Sequence, residues 1–128
     1  VSSDNLMVVP YVIDDFYFGQ FSELRRHFVV NVVRSNSRND YLCMVDNSIT
    51  PYMYKLRNGF MLIFTNTGLD ALDEFSFAFS GSGSICNITS INKDGTRKAV
   101  EYSVKDGIVT IKRSFDGLST MTLLVKTH

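Results

Sequence analysis

The chain has no tryptophan, two histidines, two cysteines and two prolines, and its Lys+Arg and Asp+Glu are 13 each, so its formal net charge is zero. Each shortage excludes something. Without a basic excess or a basic run there is no electrostatic footprint for phosphate backbones or an acidic bilayer. Neither nucleic acid nor a membrane is therefore expected as a partner. The apolar runs are a handful of residues long, well short of a helix that spans a bilayer. No His-x-x-x-His motif and no Cys/His cluster stands in the chain, so no zinc site is expected. A Ser-His-Asp or Cys-His nucleophile would need His27 or His128 as its base. His27, beside Arg26, reads instead as a solvated or interface residue of a helix. Cys43 and Cys86 lie in separate apolar segments and read as two buried thiols, or as one bridge. The missing tryptophan counts against a dedicated sugar platform, which usually relies on the largest ring. The chain begins at Val1, which reads as a mature form or a piece of a longer protein.

What is present is a strand-rich pattern. At 128 residues the chain reads as one domain, able to bury roughly two-thirds of its unfolded surface without a disulfide or a metal. LMVVPYVI, Leu6 to Ile13, reads as a short strand whose pairing Pro10 limits. Phe21, Leu24, Phe28 and Val32 follow helical spacing and predict a helix over Phe18 to Val33. A polar loop, Arg34 to Asp40, follows. From Tyr41 onward the period becomes two. Expected strands run over Tyr41 to Val45, Tyr52 to Arg57, Phe60 to Asn66, Glu74 to Ser80 and Ile85 to Ile91. Arg97 to Val104, Ile108 to Arg113 and Ser119 to Lys126 complete the set. Phe75, Phe77 and Phe79 alternate with Ser76 and Ala78, which puts three rings on one face. Asn58-Gly59 and Asp106-Gly107 are two-residue hairpin signals, because a type I′ turn needs positive φ at both central positions. Turn signals at this spacing, with no helices between strands, predict an antiparallel β-sandwich of Ig-like or Greek-key type with one N-terminal helix. The expected organisation is a strand–helix segment, 1–40, and a β-sandwich, 41–128, within a single domain.

The candidate chemistry is sparse. Asp14-Asp15 and the Asp70, Asp73, Glu74 group are the acidic clusters. A glycosidic bond needs two carboxyls facing each other across a substrate, which neighbours on one loop do not supply, so both read as solvated turns. Asn66, Asp70 and Asp73 could offer oxygen ligands to Ca²⁺ from one loop, without EF-hand spacing; no other cofactor is expected. Gly81-Ser82-Gly83-Ser84 lacks the Gly-Lys-Ser/Thr ending of a phosphate loop and reads as a turn. Asn87-Ile88-Thr89 matches a glycosylation sequon. Tyr52 and Tyr54 share one face of their strand. With Tyr102 they could stack on sugar faces, or they complete the core; Tyr41 and Phe115 are further candidates for exposure.

NGFMLIFTNTGLDALDEFSFAFSG places a hydrophobic strand ending in Thr-Asn before a polar loop with Asp and an alternating strand. SINKDGTRKAVEYSVKDGIVTIKRSFDGLSTMTLLV then places an Asp-Gly hairpin before a final apolar strand. In this order of features, Tyr52 to Val125 resembles the C-terminal β-sandwich domain of large bacterial glycoside hydrolases. In those enzymes the domain packs against the catalytic barrel and holds no catalytic carboxylate. The resemblance therefore implies a non-catalytic accessory role, with the preceding catalytic domain of the same chain as partner. Residues 1–40 would be the tail of a preceding α/β region. The alternative is a carbohydrate-binding or lectin-like domain that uses Tyr52, Tyr54 or Tyr102, with Asp70 and Asp73 nearby. A third reading has an acid of Asp14-Asp15 or the Asp70 loop completing a neighbour's active site.

Overall fold

The computed structural model of the chain describes residues 2–3, 6–7, 31–32, 40–45, 48–81 and 83–128. It divides into two compact units, Val1–Arg38 and Asn39–His128. In the first, β1 (Ser2–Ser3) pairs antiparallel with β2 (Leu6–Met7). Of the helix expected over Phe18 to Val33, all residues but Asn31 and Val32 lie outside the described residues. Those two are helical. Asp14, Asp15 and His27 also lie outside the described residues.

The second unit is a stack of two antiparallel sheets. Its strands are β3 (Tyr41–Met44), β4 (Ile49–Leu56), β5 (Gly59–Asn66), β6 (Phe75–Ser80), β7 (Ile85–Ile91), β8 (Arg97–Ala99), β9 (Tyr102–Lys105), β10 (Ile108–Ile111) and β11 (Ser119–Thr127). One sheet is four-stranded in the order β3-β6-β10-β9, and the other is five-stranded in the order β4-β5-β11-β7-β8. Period-two patterning explains the layers. Phe60, Leu62 and Phe64 on β5, and Leu123 and Val125 on β11, turn inward from one sheet. Phe75, Phe77 and Phe79 on β6, with Val109 and Ile111 on β10, turn inward from the other. The rings meet at the centre. Phe64 lies 4.9 Å from Phe77 and 5.1 Å from Phe75, centroid to centroid, and Phe60 meets Phe79 edge-on at 5.3 Å. Each such ring contributes about 1.5–3 kcal/mol by leaving water. Tilted and edge-on geometry adds to that, because it sets the positive edge of one ring against the negative face of another.

Three local expectations are corrected. Residues 97–104 do not form one strand: β8 pairs with β7 in the five-stranded sheet, and β9 pairs with β10 in the four-stranded sheet. The chain changes sheet at Val100, which is buried and donates its N–H to Ile88 (3.2 Å), and at Glu101, whose carbonyl accepts from Lys112 N–H (3.0 Å). Every second residue keeps its facing through this crossing, so alternation alone does not reveal it. Phe115, a candidate for exposure, is buried in the core 5.3 Å from Phe75.

The third correction concerns the first hairpin. Leu56 pairs with Gly59, so the two-residue loop is Arg57 and Asn58, and Asn58 is not among the residues of positive φ. Gly59 is instead the first residue of β5, at φ 143°, where a Cβ would strike the carbonyl oxygen of Val125 on β11. This glycine serves the close approach of two strands rather than the turn. Gly59→Ala should therefore lower stability by about 1–3 kcal/mol. Asn58→Ala should change it by less than about 0.5 kcal/mol. Urea denaturation of the two variants checks the contrast. At Asp106 and Gly107 the expected turn is found, with φ of 51° and 74° and Lys105 paired to Ile108.

Candidate functional site

Tyr52 and Tyr54 lie on β4, an edge strand of the five-stranded sheet, and each is 51% exposed. Ile49 points inward and is buried, so Thr50, Tyr52, Tyr54 and Leu56 take the outward positions. The two tyrosines are therefore a surface pair and not part of the core. At about 3.3 Å per residue their Cα atoms stand roughly 6.6 Å apart. Tyr102 does not join them. It pairs with Ile111 at the edge of the four-stranded sheet, takes an inward position and packs against the core cluster. β3 lies against β4, where Lys55 Nζ meets Asp40 Oδ2 at 2.9 Å. β9, with Tyr102, is at the opposite edge of its sheet from β3. Tyr41 is half-buried.

The loop 67–74 is held by its polar anchor, Asn66, which is fully buried. Asn66 Nδ2 donates to the carbonyls of Asp70 (3.0 Å), Asp116 (3.1 Å) and Phe115 (3.4 Å), and Oδ1 accepts the N–H of Gly68 at 2.9 Å. Leu72 and Phe115 exchange backbone hydrogen bonds of 2.9 and 2.8 Å, and Leu118 N–H, at a residue of φ 49°, reaches the Gly68 carbonyl at 3.0 Å. Asp70, Asp73 and Glu74 project into solvent. The side-chain oxygen of Asn66 is taken by Gly68, which removes it from the oxygen set considered for Ca²⁺. Among the described residues no three His, Cys, Asp or Glu side chains gather in a metal-binding group. Asp70 and Asp73 share no face with Tyr52 and Tyr54, for the loop leads from β5 in one sheet to β6 in the other.

What β4 joins instead is an apolar outer face. Tyr52 sits opposite Ile63, and Tyr54 opposite Met61. Ile63 and Met61 in turn sit opposite Thr122 and Leu124 on β11. Thr122 then meets Ile91 on β7. Met61, Ile63, Leu124 and Ile91 are all half-buried, while Leu56 is 44% exposed. The signal was present in the sequence. GFMLIF on β5 is apolar at every position after its glycine, and a strand apolar on both faces is covered on both faces.

No protein-family model matches this chain, and no curated protein matches it. A solved structure does. The chain is similar to a GH30 endoxylanase from Clostridium papyrosolvens C71, with 20% identity and a TM-score of 0.46, over 68% of this chain and 24% of that one. The chain thus spans about a quarter of that enzyme's length.

Other polar groups are structural. Ser90, buried on β7, accepts a hydrogen bond from the Arg113 guanidinium and donates to the Lys98 carbonyl at 3.4 Å. Asp94 accepts from both the side chain (2.7 Å) and the backbone N–H (2.9 Å) of Thr96, and these bonds hold its carboxyl below the usual range. Both cysteines are free thiols: Cys43 is half-buried and Cys86 exposed, which corrects the expectation of two buried thiols. Burial raises the Cys43 pKa. Iodoacetamide near neutral pH should therefore label Cys86 first and Cys43 later, because the thiolate is the nucleophile and burial disfavours it. Mass spectrometry of timed samples reads the order; equal rates would contradict it.

Proposed function

We propose that this chain is a non-catalytic accessory β-sandwich of a larger carbohydrate-active enzyme, which stabilises or orients a catalytic domain. The observation that carries the accessory role is the outer face of the five-stranded sheet. Tyr52, Tyr54, Met61, Ile63 and Leu124 make a continuous apolar surface on an otherwise complete sandwich. A contiguous apolar patch on a sheet face, with Tyr52 and Tyr54 exposed and Met61, Ile63 and Leu124 half-buried, is the kind of surface that meets a partner. The carbohydrate context comes from the resemblance of Tyr52 to Val125 to the closing domain of bacterial glycoside hydrolases. The acidic loop fits a supporting role, since the Asn66 side chain and the Leu72 backbone tie it to the sandwich. The test is direct: the 128-residue chain is incubated with aryl glycosides, and no turnover is expected. Turnover abolished by one carboxylate substitution would overturn the proposal.

A second reading, sugar binding, is favoured by one observation: two half-exposed tyrosines side by side on one strand face. Ring faces of this kind can stack on the C–H surface of a pyranose. Retardation of the chain in gels containing soluble polysaccharide, lost in both Tyr52→Ala and Tyr54→Ala, would favour this reading over the accessory one.

A further inference from the structure

We propose that Asn58 is a deamidation site whose rate the β4–β5 hairpin itself sets. Asn58-Gly59 is the one Asn-Gly step in the chain. In such a step the glycine nitrogen, which no neighbouring side chain shields, attacks the carbonyl carbon of the asparagine side chain. The nitrogen gives up its proton, the bond to the side-chain nitrogen breaks, and ammonia leaves a succinimide ring. Water then opens one of the two ring carbonyls, to aspartate or to isoaspartate. Water is the sole co-reactant, and nothing is oxidised or reduced.

The fold demands one half of this step and not the other. Gly59 cannot carry a side chain, because a Cβ would strike the Val125 carbonyl oxygen. Asn58 meets no such demand: it is exposed, and its φ is not positive. The nucleophile, however, is held back. Gly59 is buried, and its pairing with Leu56 directs its N–H at the Leu56 carbonyl. A nitrogen so engaged reaches the Asn58 side chain only when the loop end of the hairpin opens. That opening breaks far fewer contacts than unfolding does, because β4 is an edge strand and Leu56, Arg57 and Asn58 are exposed. The two products differ in what they do to the hairpin. Arg57 and Lys126 line the same cavity as Asn58, and no Asp or Glu is among its described lining residues. Lys55 lines it too and meets Asp40 at 2.9 Å. Aspartate at this position adds a carboxylate beside exposed cations and leaves the backbone unchanged. Isoaspartate lengthens the backbone by a methylene and displaces Leu56 from its register with Gly59.

The test incubates the 128-residue chain at mildly alkaline pH, folded and in urea, and maps its peptides by mass spectrometry. The folded chain should gain one mass unit at Asn58 before any other asparagine changes, with one ammonia released per chain converted. The same gain should come faster in urea, where the hairpin no longer holds the Gly59 nitrogen. Asn58→Gln keeps an exposed side-chain amide and should abolish both the gain and the ammonia. Hydrogen exchange at the Gly59 N–H gives an independent reading, since its protection should match the factor by which folding slows the reaction. Conversion in urea with none at Asn58 in the folded chain overturns the proposal. Equal rates in the two states overturn it as well, and so does a folded chain in which another asparagine converts first. None of these outcomes depends on whether the chain serves a catalytic domain.

Discussion

Phe64→Ala should lower the unfolding free energy by about 3–5 kcal/mol, the range for truncating a buried aromatic ring. Phe64 is fully buried and joins the two layers at their centre, since it meets both Phe75 and Phe77 from the opposite sheet. Its removal leaves a cavity between sheets that pair only within themselves, so little backbone can relax into it. Phe64→Leu keeps much of the volume and should cost distinctly less. Tyr52→Ala, on the outer face, should fall within about 0.5 kcal/mol of the parent chain. Urea denaturation of the three variants checks the order. A loss for Tyr52→Ala equal to that of Phe64→Ala would contradict the placement of the core.

Asn66 should be the most sensitive polar position. Asn66→Ala should lose about 2–3 kcal/mol, because the Gly68 N–H and the carbonyls of Asp70, Phe115 and Asp116 lose a common partner in a site without ready access to water. Asn66→Asp should be worse near neutral pH, although it is nearly isosteric. It sets a buried carboxylate oxygen against three carbonyl oxygens, so its pKa in the folded state should rise above the unfolded value. The sign follows from that shift. A raised folded pKa leaves the variant most stable below the unfolded carboxylate pKa, and stability falls as pH rises through the folded value. Melting Asn66→Asp at pH 4 and pH 7 beside the parent chain reads this. A deficit that does not widen toward pH 7 would contradict the geometry of the hub.

The parts legible in the sequence were those set by short-range rules. The rings of Phe75, Phe77 and Phe79 face the core as their spacing predicts, because alternate side chains of a strand point to opposite faces. Asp106-Gly107 forms its turn because those two residues tolerate positive φ wherever they stand. Asn58-Gly59 carries an equally strong signal and misleads, since Gly59 answers to the Val125 carbonyl, 66 positions further along the chain. Phe115 follows a short polar stretch and looks like part of a turn. Its bridge to Leu72 makes it core.

The candidate site divides along the same line. Tyr52 and Tyr54 were singled out from their spacing, and they do share an outward face. Tyr102 was grouped with them by residue type, and the change of sheet at Val100 and Glu101 sends it to the other layer. Met61, Ile63 and Leu124 were read only as strand. Their joint surface exists because β11 lies between β5 and β7.

Composition and two-residue periodicity thus determine an antiparallel strand-built core, the inward aromatic strand and one of the two tight turns. Strand order decides the rest: the neighbours of Gly59, the carbonyls gathered on Asn66, and the apolar outer face that β4, β5 and β11 share. The physical reason is range. Dihedral preference and side-chain alternation act over a few residues, whereas the pairing that brings a carbonyl to an amide, or a leucine to a tyrosine, joins segments far apart in the chain.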